Sequence, residues 1–322
     1  MKNRTSLFTP TDLLLLLMIT LWAVNYSVIK TVISTDLRPI VFTALRFGVA
    51  ALTLIPLLRS MSRDERLAAR ADWWKIIGVG LLGNTLYQVF FISGIDYTSP
   101  TNSALILAGA PIFVAVFGAL LKIEKLNWLA WLGIIVSFIG IGIVIVGNAP
   151  AEAIEPGKSS VIGDLLVLAG TMVWAAYTVA VAPLLKRHSA PNLTAMSVTI
   201  GTIPLLLLAA PAFVATNWTA VSFSSWLGVA YSGVLVIAVG YLIWNRGVQE
   251  VGGTRTAVYS NLTPVITAVV AYLARGDALT IYHAIGAVVI LGGIVLTRIA
   301  RRQSVSLSNP HPMLTAEDAK NS

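Results

Sequence analysis

The chain has 322 residues, of which 57% are hydrophobic and only 11% charged, with a formal net charge of +8. A soluble domain keeps about 25% of its residues charged, and no soluble surface tolerates the stretch between Arg187 and Arg246, which holds no Asp, Glu, Lys or Arg. The chain has no cysteine and only three histidines (His188, His283, His311), none at the centre of an apolar run. Disulfides, thiolate redox chemistry and metal sites are therefore not expected, nor is any cofactor.

Lys2 and Arg4 precede an apolar run, Leu13–Ile33, that contains Trp22, Asn25 and Tyr26 and lacks a small-residue cleavage site before Lys30. It reads as an uncleaved first span and not as a signal peptide. About 20 apolar residues cross a bilayer as a helix. The runs that follow are Pro39–Leu58, Trp74–Ile95, Pro100–Leu121 and Leu126–Val146, then Val161–Leu185, Leu193–Val214, Phe223–Asn245, Thr256–Ala274 and Ile281–Arg298. Each run is continuously apolar, which favours helix over the alternation of a membrane strand. The expected fold is all-α and integral to the membrane, with ten helices.

Lys30, Arg38, Lys158 and Arg275 fall on one side of these spans and Arg46 within one, while the remaining Lys and Arg fall on the other side. The positive-inside rule then puts both termini in the cytoplasm. The basic residues act as topology signals beside apolar runs, so nucleic acid is not an expected partner; the bilayer and a small-molecule substrate are. Residues 1–11 form a cytoplasmic N-terminus and 12–147 a first unit. Residues 148–160 form an outer linker and 161–300 a second unit. The polar tail 301–322 is expected to be disordered.

The two units are copies. Asp12 and Trp22 repeat as Asp164 and Trp174, offset by 152. From Trp73 an offset of 153 pairs Trp73 with Trp226, Gly80 with Gly233, Gly94 with Gly247 and Pro111 with Pro264. It goes on to pair Gly133 with Gly286, Gly140 with Gly293 and the acids Glu124 with Asp277. An odd number of spans per unit makes the second unit enter the membrane from the opposite side, the inverted repeat of alternating-access transporters.

Trp22, the "ALRF" of Ala44–Phe47, and "GIDYTSPTNSALILAGAPIF" at Gly94–Phe113 resemble the EamA-type branch of the drug/metabolite transporter superfamily. So do Lys122–Gly133 and the second copies at Gly247–Ile266 and Gly276–Gly286, over residues 12–300 in all. Ile123 stands where the family usually has Gly, Asp277 stands for Glu, and the seventh span has no counterpart of Arg46. The resemblance implies ten helices around a central cavity and export of amino acids, other metabolites or drugs across the inner membrane of a bacterium.

Arg46 is the one charge well inside a span and needs a partner, since an intramembrane Arg costs about 2.5–3.5 kcal/mol on insertion scales. It reads either as a clamp for a substrate carboxylate or phosphate, or as a structural Arg that bonds helix-end carbonyls or reaches the outer interface. Trp22, Asn25 and Tyr26 share one turn, with Trp174 and Tyr177 at matching positions. Asn84 and Gln88, four apart, are expected on one face beside Tyr87. Tyr241 and Asn261 complete the candidate substrate pocket, while Trp73, Trp128 and Trp226 read as interfacial anchors; Trp244, beside Tyr241, reads either as part of the pocket or as a further anchor. The amides read equally as helix–helix glue. Pro111 and Pro264 fall mid-span, where a proline kinks a helix for gating or for shaping a cavity.

The glycines seven apart in the fifth and tenth spans let helices approach closely and mark a scaffold or a homodimer face. Glu124 and Asp277 read as N-terminal helix caps. Gly78, Gly80 and Gly83 match GxGxxG but lie inside a span without a preceding strand, which reduces them to helix packing. No span carries a carboxylate near its middle, which disfavours cationic drugs as substrates. The expected function is a secondary transporter that exports small metabolites such as amino acids. A multidrug exporter is the alternative within the fold. An intramembrane enzyme would need convergent catalytic groups that the spans lack, so no enzyme activity is expected.

Overall fold

The computed structural model describes residues 10–121, 127–148, 160–250, 256, 259–277 and 279–308, without the side chains of 146–148 and 297–308. Among the described residues every regular element is helical. The N-terminus before Pro10, Glu124 with the rest of 122–126, the linker 149–159 and the tail after Ser308 lie outside them.

Prolines and caps set the helix starts. Helix α1 (Pro10–Thr35), α2 (Pro39–Ser60) and α5 (Pro100–Leu120) begin on Pro, whose missing N–H costs nothing in a first turn. Ser99 caps α5 by accepting from the Asn102 amide at 3.1 Å. The short amphipathic α3 (Arg63–Ala71) starts with a capping box between Ser62 and Glu65. Helix α4 (Trp73–Tyr97) crosses in one piece, as do α6 (Trp128–Asn148), α7 (Ser160–Leu185), α8 (Ala190–Val214) and α9 (Phe223–Glu250). The 13-residue α10 (Thr263–Arg275) follows a 3-10 turn and stops at Gly276, whose φ of 70° is the left-handed cap that favours glycine. Helix α11 (Ile281–Ser308) ends the described chain.

Eight of these helices are long and apolar enough to cross a membrane. Leu52, Leu207 and Val288 stand 67%, 70% and 72% exposed, an apolar outer belt that water would not tolerate and lipid does. The last two expected spans are met by shorter pieces. Helix α10 is preceded by residues outside the description, and the apolar part of α11 is Ile281–Leu296. The tail expected to be disordered from residue 301 instead continues α11 to Ser308, because no Gly or Pro breaks the helix before Pro310.

Cross-chain hydrogen bonds fix the directions. Thr11 donates to Glu250 and Tyr259 donates to Asp12, which brings the start of α1 to the end of α9 and to the segment before α10. At the opposite end, Lys30 donates to the carbonyls of Ile95, Asp96 and Thr98, and Thr98 and Asn102 donate to Asp164. Helix α7 therefore starts where α1 finishes, and the two run in opposite directions.

Helices α4 and α9 each contain a π-helical stretch, Leu81–Leu86 and Tyr231–Val239, and an offset of 153 carries the first into the second. The pair α6 and α11 packs glycine on glycine: a Cβ on Gly293 would meet Ser137 and the Gly133 carbonyl, and one on Gly286 would meet Val144 and the Gly140 carbonyl. These contacts make the pair antiparallel and place Gly133, Gly140, Gly286 and Gly293 at the contact between the two helices. Ser137 donates to the carbonyl of Ile290, 153 residues away, at 3.1 Å. With Ile106, Ile112 and Val167, this pair builds an apolar core separate from the main one.

Asp277 does not cap α11. The helix starts four residues later, where Thr280 and His283 bond each other's amides, and Asp277 pairs with Arg275 at 3.5 Å.

Candidate functional site

The main core encloses a cavity between α1, α2, α4, α5, α7 and α9, closed by Ser260 and Thr263 at the head of α10. Its volume is about 80 Å³, which, at about 10–15 Å³ per water position, holds only a few waters. A metabolite would have to widen it.

Aromatic rings form most of the wall. The Trp22 ring lies 6.0 Å from Trp174 at 80°, 6.0 Å from Tyr241 at 70° and 5.5 Å from Trp244. Tyr87 lies 5.0 Å from Trp174, and Phe91 bridges Tyr26 and Tyr87 at 5.5 Å from each. The Trp22–Trp174, Trp22–Tyr241 and Tyr26–Phe91 pairs meet edge to face, a geometry that favours each by about 0.5–1.5 kcal/mol beyond burial. Trp22 is fixed at its indole N–H, which donates to the Val236 carbonyl at 3.0 Å in the π-helical stretch of α9. The ring fits because Gly240 has no side chain: a Cβ there would lie 2.5 Å from the Trp22 nitrogen.

Arg46 is 2% exposed and lines the same cavity. One terminal nitrogen donates to Gln88 Oε1 at 2.6 Å and the other to Ser232 Oγ at 3.3 Å. The Phe42 and Phe47 rings lie 5.2 and 5.9 Å from the guanidinium carbon. Gln88 in turn donates to the Tyr241 hydroxyl at 3.2 Å. Arg46 reaches neither helix-end carbonyls nor an interface.

Of the residues singled out from sequence, Trp22, Asn25, Tyr26, Arg46, Tyr87, Gln88, Pro111, Trp174 and Tyr241 line the cavity. Asn84 does not. It lies in the π-helical stretch, and its side chain turns toward Gly201 of α8. Tyr177 packs its ring on Gly83 and pairs with Asn245, which donates to Thr194 at 2.7 Å. Asn261 sits half-buried in the 3-10 turn, outside the lining, between Ser260 and Thr263, which take part in it.

Pro111 stands in the middle of α5 beside an interruption of the helix, whereas Pro264 does not lie mid-helix. Pro111 follows a break at Ala108–Gly109, and Pro264 sits in the first turn of α10 after the 3-10 turn. Both restart a helix; Pro111 lines the cavity and Pro264 is not among the lining residues. Trp244, for which the sequence leaves a pocket and an anchor reading open, is 3% exposed and lines the cavity. Trp73, Trp128 and Trp226 are exposed at helix starts, where an anchor belongs. Phe91, Thr178 and Ser232 also escaped the sequence reading.

Two polar clusters tie the units together at opposite ends of α2. At one end the buried Asp72 accepts from Lys75 and Arg187 at 3.0 Å and meets His188 Nε2 at 3.1 Å. These partners, Lys75 first, hold its carboxyl below the usual range despite burial. At the other end Asp36 accepts from the Ser222 hydroxyl, from Ser225 Oγ at 2.5 Å and from the Ser222 amide at 3.1 Å. Those hydrogen bonds likewise hold its carboxyl low. The repeat relates the two clusters: an offset of 152 takes Asp36 to His188, and 153 takes Asp72 to Ser225.

A model described as the EamA-like transporter family matches residues 9–146 and again 161–299. "Uncharacterized transporter YyaM" of Bacillus subtilis (strain 168) is 28% identical over 252 residues, 78% of this chain and 82% of that protein. An "Uncharacterized transporter" of Archaeoglobus fulgidus is 28% identical over 298 residues, 92% of this chain and 99% of its own. A WAT1-related protein of Arabidopsis thaliana is 27% identical over 301 residues, 85% of this chain and 81% of its own. One solved crystal structure, 20% identical, shares the fold with a TM-score of 0.63 over 91% of this chain and 98% of that one.

Proposed function

The chain belongs to the EamA-like transporter family, and on that premise we propose that it is a secondary transporter exporting small metabolites such as amino acids by alternating access through the central cavity. Ten spans form two five-helix units, 12–147 and 161–300, inserted in opposite senses with both termini in the cytoplasm. Opposite running of the equivalent helices α1 and α7 supports the inversion, and so does direct contact between residues 153 apart.

The observation that carries the mechanism is the pair of clusters around Asp36 and Asp72, one at each end of the cavity. Each joins the first unit to the second, and the repeat exchanges one for the other. Opening the cytoplasmic mouth releases Asp72 from Arg187 and His188; opening the outer mouth releases Asp36 from Ser222 and Ser225. Near-equivalent latches leave the two open states close in energy, as cycling requires. Between them the aromatic wall takes the apolar part of a substrate, and Arg46, Gln88 and Asn25 supply its polar contacts.

The test is efflux from proteoliposomes loaded with a mixed amino-acid and nucleoside pool, with and without a pH gradient. Selective loss of particular metabolites relative to protein-free liposomes supports the reading. Equal retention of the whole pool overturns it in favour of a drug exporter of the same fold.

A further inference from the structure

The guanidinium of Arg46 is buried with no carboxylate beside it. Its described partners are the neutral Gln88 and Ser232, and its Nε–H has none. No Asp or Glu lies among the residues that line the cavity. A buried cation with only neutral partners is poorly compensated, and the cost falls when an anion arrives. We propose that the substrate is a carboxylate and that Arg46 is the group that receives it, through Nε and a terminal nitrogen, the two-point geometry guanidinium offers a carboxylate. The inference rests on the transport reading above and narrows it to one chemical class.

Three features argue for a single carboxylate over a phosphate. Arg46 is the one cation in the lining, and a phosphate of charge about −1.5 to −2 would remain under-compensated there. Two further buried groups on the same wall, Asn25 Oδ1 and Trp244 Nε1, also lack partners. One is an acceptor and the other a donor, so a polar substituent next to the carboxylate finds a partner on the same wall. The remaining lining is aromatic and suits an apolar side group. Phe42 and Phe47 flank the guanidinium and keep it oriented before the anion binds.

The test uses the full chain in proteoliposomes, loaded with matched pairs of carboxylates and their primary amides: aromatic and aliphatic amino acids, the same acids without the amino group, and the corresponding phosphonates. The wild type is expected to release carboxylates faster than their amides by about tenfold or more, the ratio that a hydrogen bond to a charged group supports. Gln88→Glu places an internal carboxylate against Arg46 in a similar volume. It should abolish carboxylate efflux while the melting temperature stays at or above that of the wild type. That pairing of outcomes separates a receptor from a structural Arg, for which a new ion pair would leave transport intact.

Equal efflux of acids and amides by the wild type overturns the assignment, as does undiminished carboxylate efflux by Q88E; either leaves the transport reading standing. Faster phosphonate than carboxylate efflux overturns the class. Failure of the wild type to release any member of the panel overturns the metabolite-transport reading together with the inference.

Discussion

Gln88 and Tyr241 hold the same position in the two units, 153 residues apart, and bond each other at 3.2 Å across the cavity. Two equivalent residues can touch only on the axis that relates their units. Ser137 and Ile290, also 153 apart, touch in the α6–α11 pair. Both contacts are what an approximate two-fold relation between the units would produce, one at the cavity and one in the α6–α11 pair. A double-mutant cycle of Gln88→Leu and Tyr241→Phe, read by unfolding in detergent, should return a coupling of about 0.6–1.7 kcal/mol, the span from average to strongest for hydrogen bonds between membrane helices. Zero coupling would mean that the two side chains do not meet.

Trp22, Arg46, Gln88 and Trp174 were legible because a polar or amphipathic residue inside an apolar run is rare, and such residues face the interior. Asn84 was placed beside Gln88 because it lies four residues before it, yet its side chain packs toward Gly201 of α8 from the π-helical stretch Leu81–Leu86, which spacing in the sequence does not announce. Trp244, whose place near the expected end of its span left a pocket and an anchor reading both open, lines the cavity, and α9 continues past it to Glu250. The clusters at Asp36 and Asp72 were hidden because their partners lie far along the chain in short polar loops that look merely solvated. The repeat offset pairs them, but it does not say that they touch.

Adjacent glycines of α11 make opposite predictions. A Cβ at Gly293 would sit 2.2 Å from Ser137 Oγ and 2.5 Å from the Gly133 carbonyl, whereas one at Gly292 would meet nothing within 4 Å. Gly293→Leu should force α6 and α11 apart at a cost of about 1–3 kcal/mol or more, seen as loss of the monodisperse peak and a lower melting temperature. Gly292→Leu should stay within about 0.5 kcal/mol of wild type. Equal tolerance of both would refute the glycine-on-glycine contact.

The Asp72 cluster sets part of the acid limb of stability. Its folded pKa is lowered by Lys75 foremost, with His188 and Arg187 adding to the effect. A depressed carboxylate contributes stability that is fully present above its unfolded pKa, about 3.9, and is lost as pH falls through the lower folded value. Thermal stability of the wild type should therefore fall more steeply below about pH 4 than that of Asp72→Asn, with the two curves parallel above about pH 5. The same sign holds for Asp36 and its serines. Parallel curves throughout would mean that Asp72 is not paired in the folded protein.

The latches themselves can be locked one at a time, because the chain has no cysteine to confuse the result. Asp36 Oδ2 and Ser225 Oγ are 2.5 Å apart, and Asp72 Oδ2 and His188 Nε2 are 3.1 Å apart, so cysteines at either pair fall within reach of a short thiol cross-linker. Asp36→Cys with Ser225→Cys should hold the outer mouth closed, and Asp72→Cys with His188→Cys the inner one. Alternating access needs both mouths to open in turn, so either cross-link should stop efflux, and a reducible linker should restore it on cleavage. A third pair, Ser137→Cys with Gly293→Cys, would disturb the packing and serves poorly as a control; Arg246→Cys with Glu250→Cys bridges one turn of a single helix and should leave transport unchanged. Arrest by only one of the two latch cross-links would mean that a single mouth opens and that the protein is gated from one side. Arrest by neither would separate the clusters from gating altogether and leave them as ties between neighbouring helices.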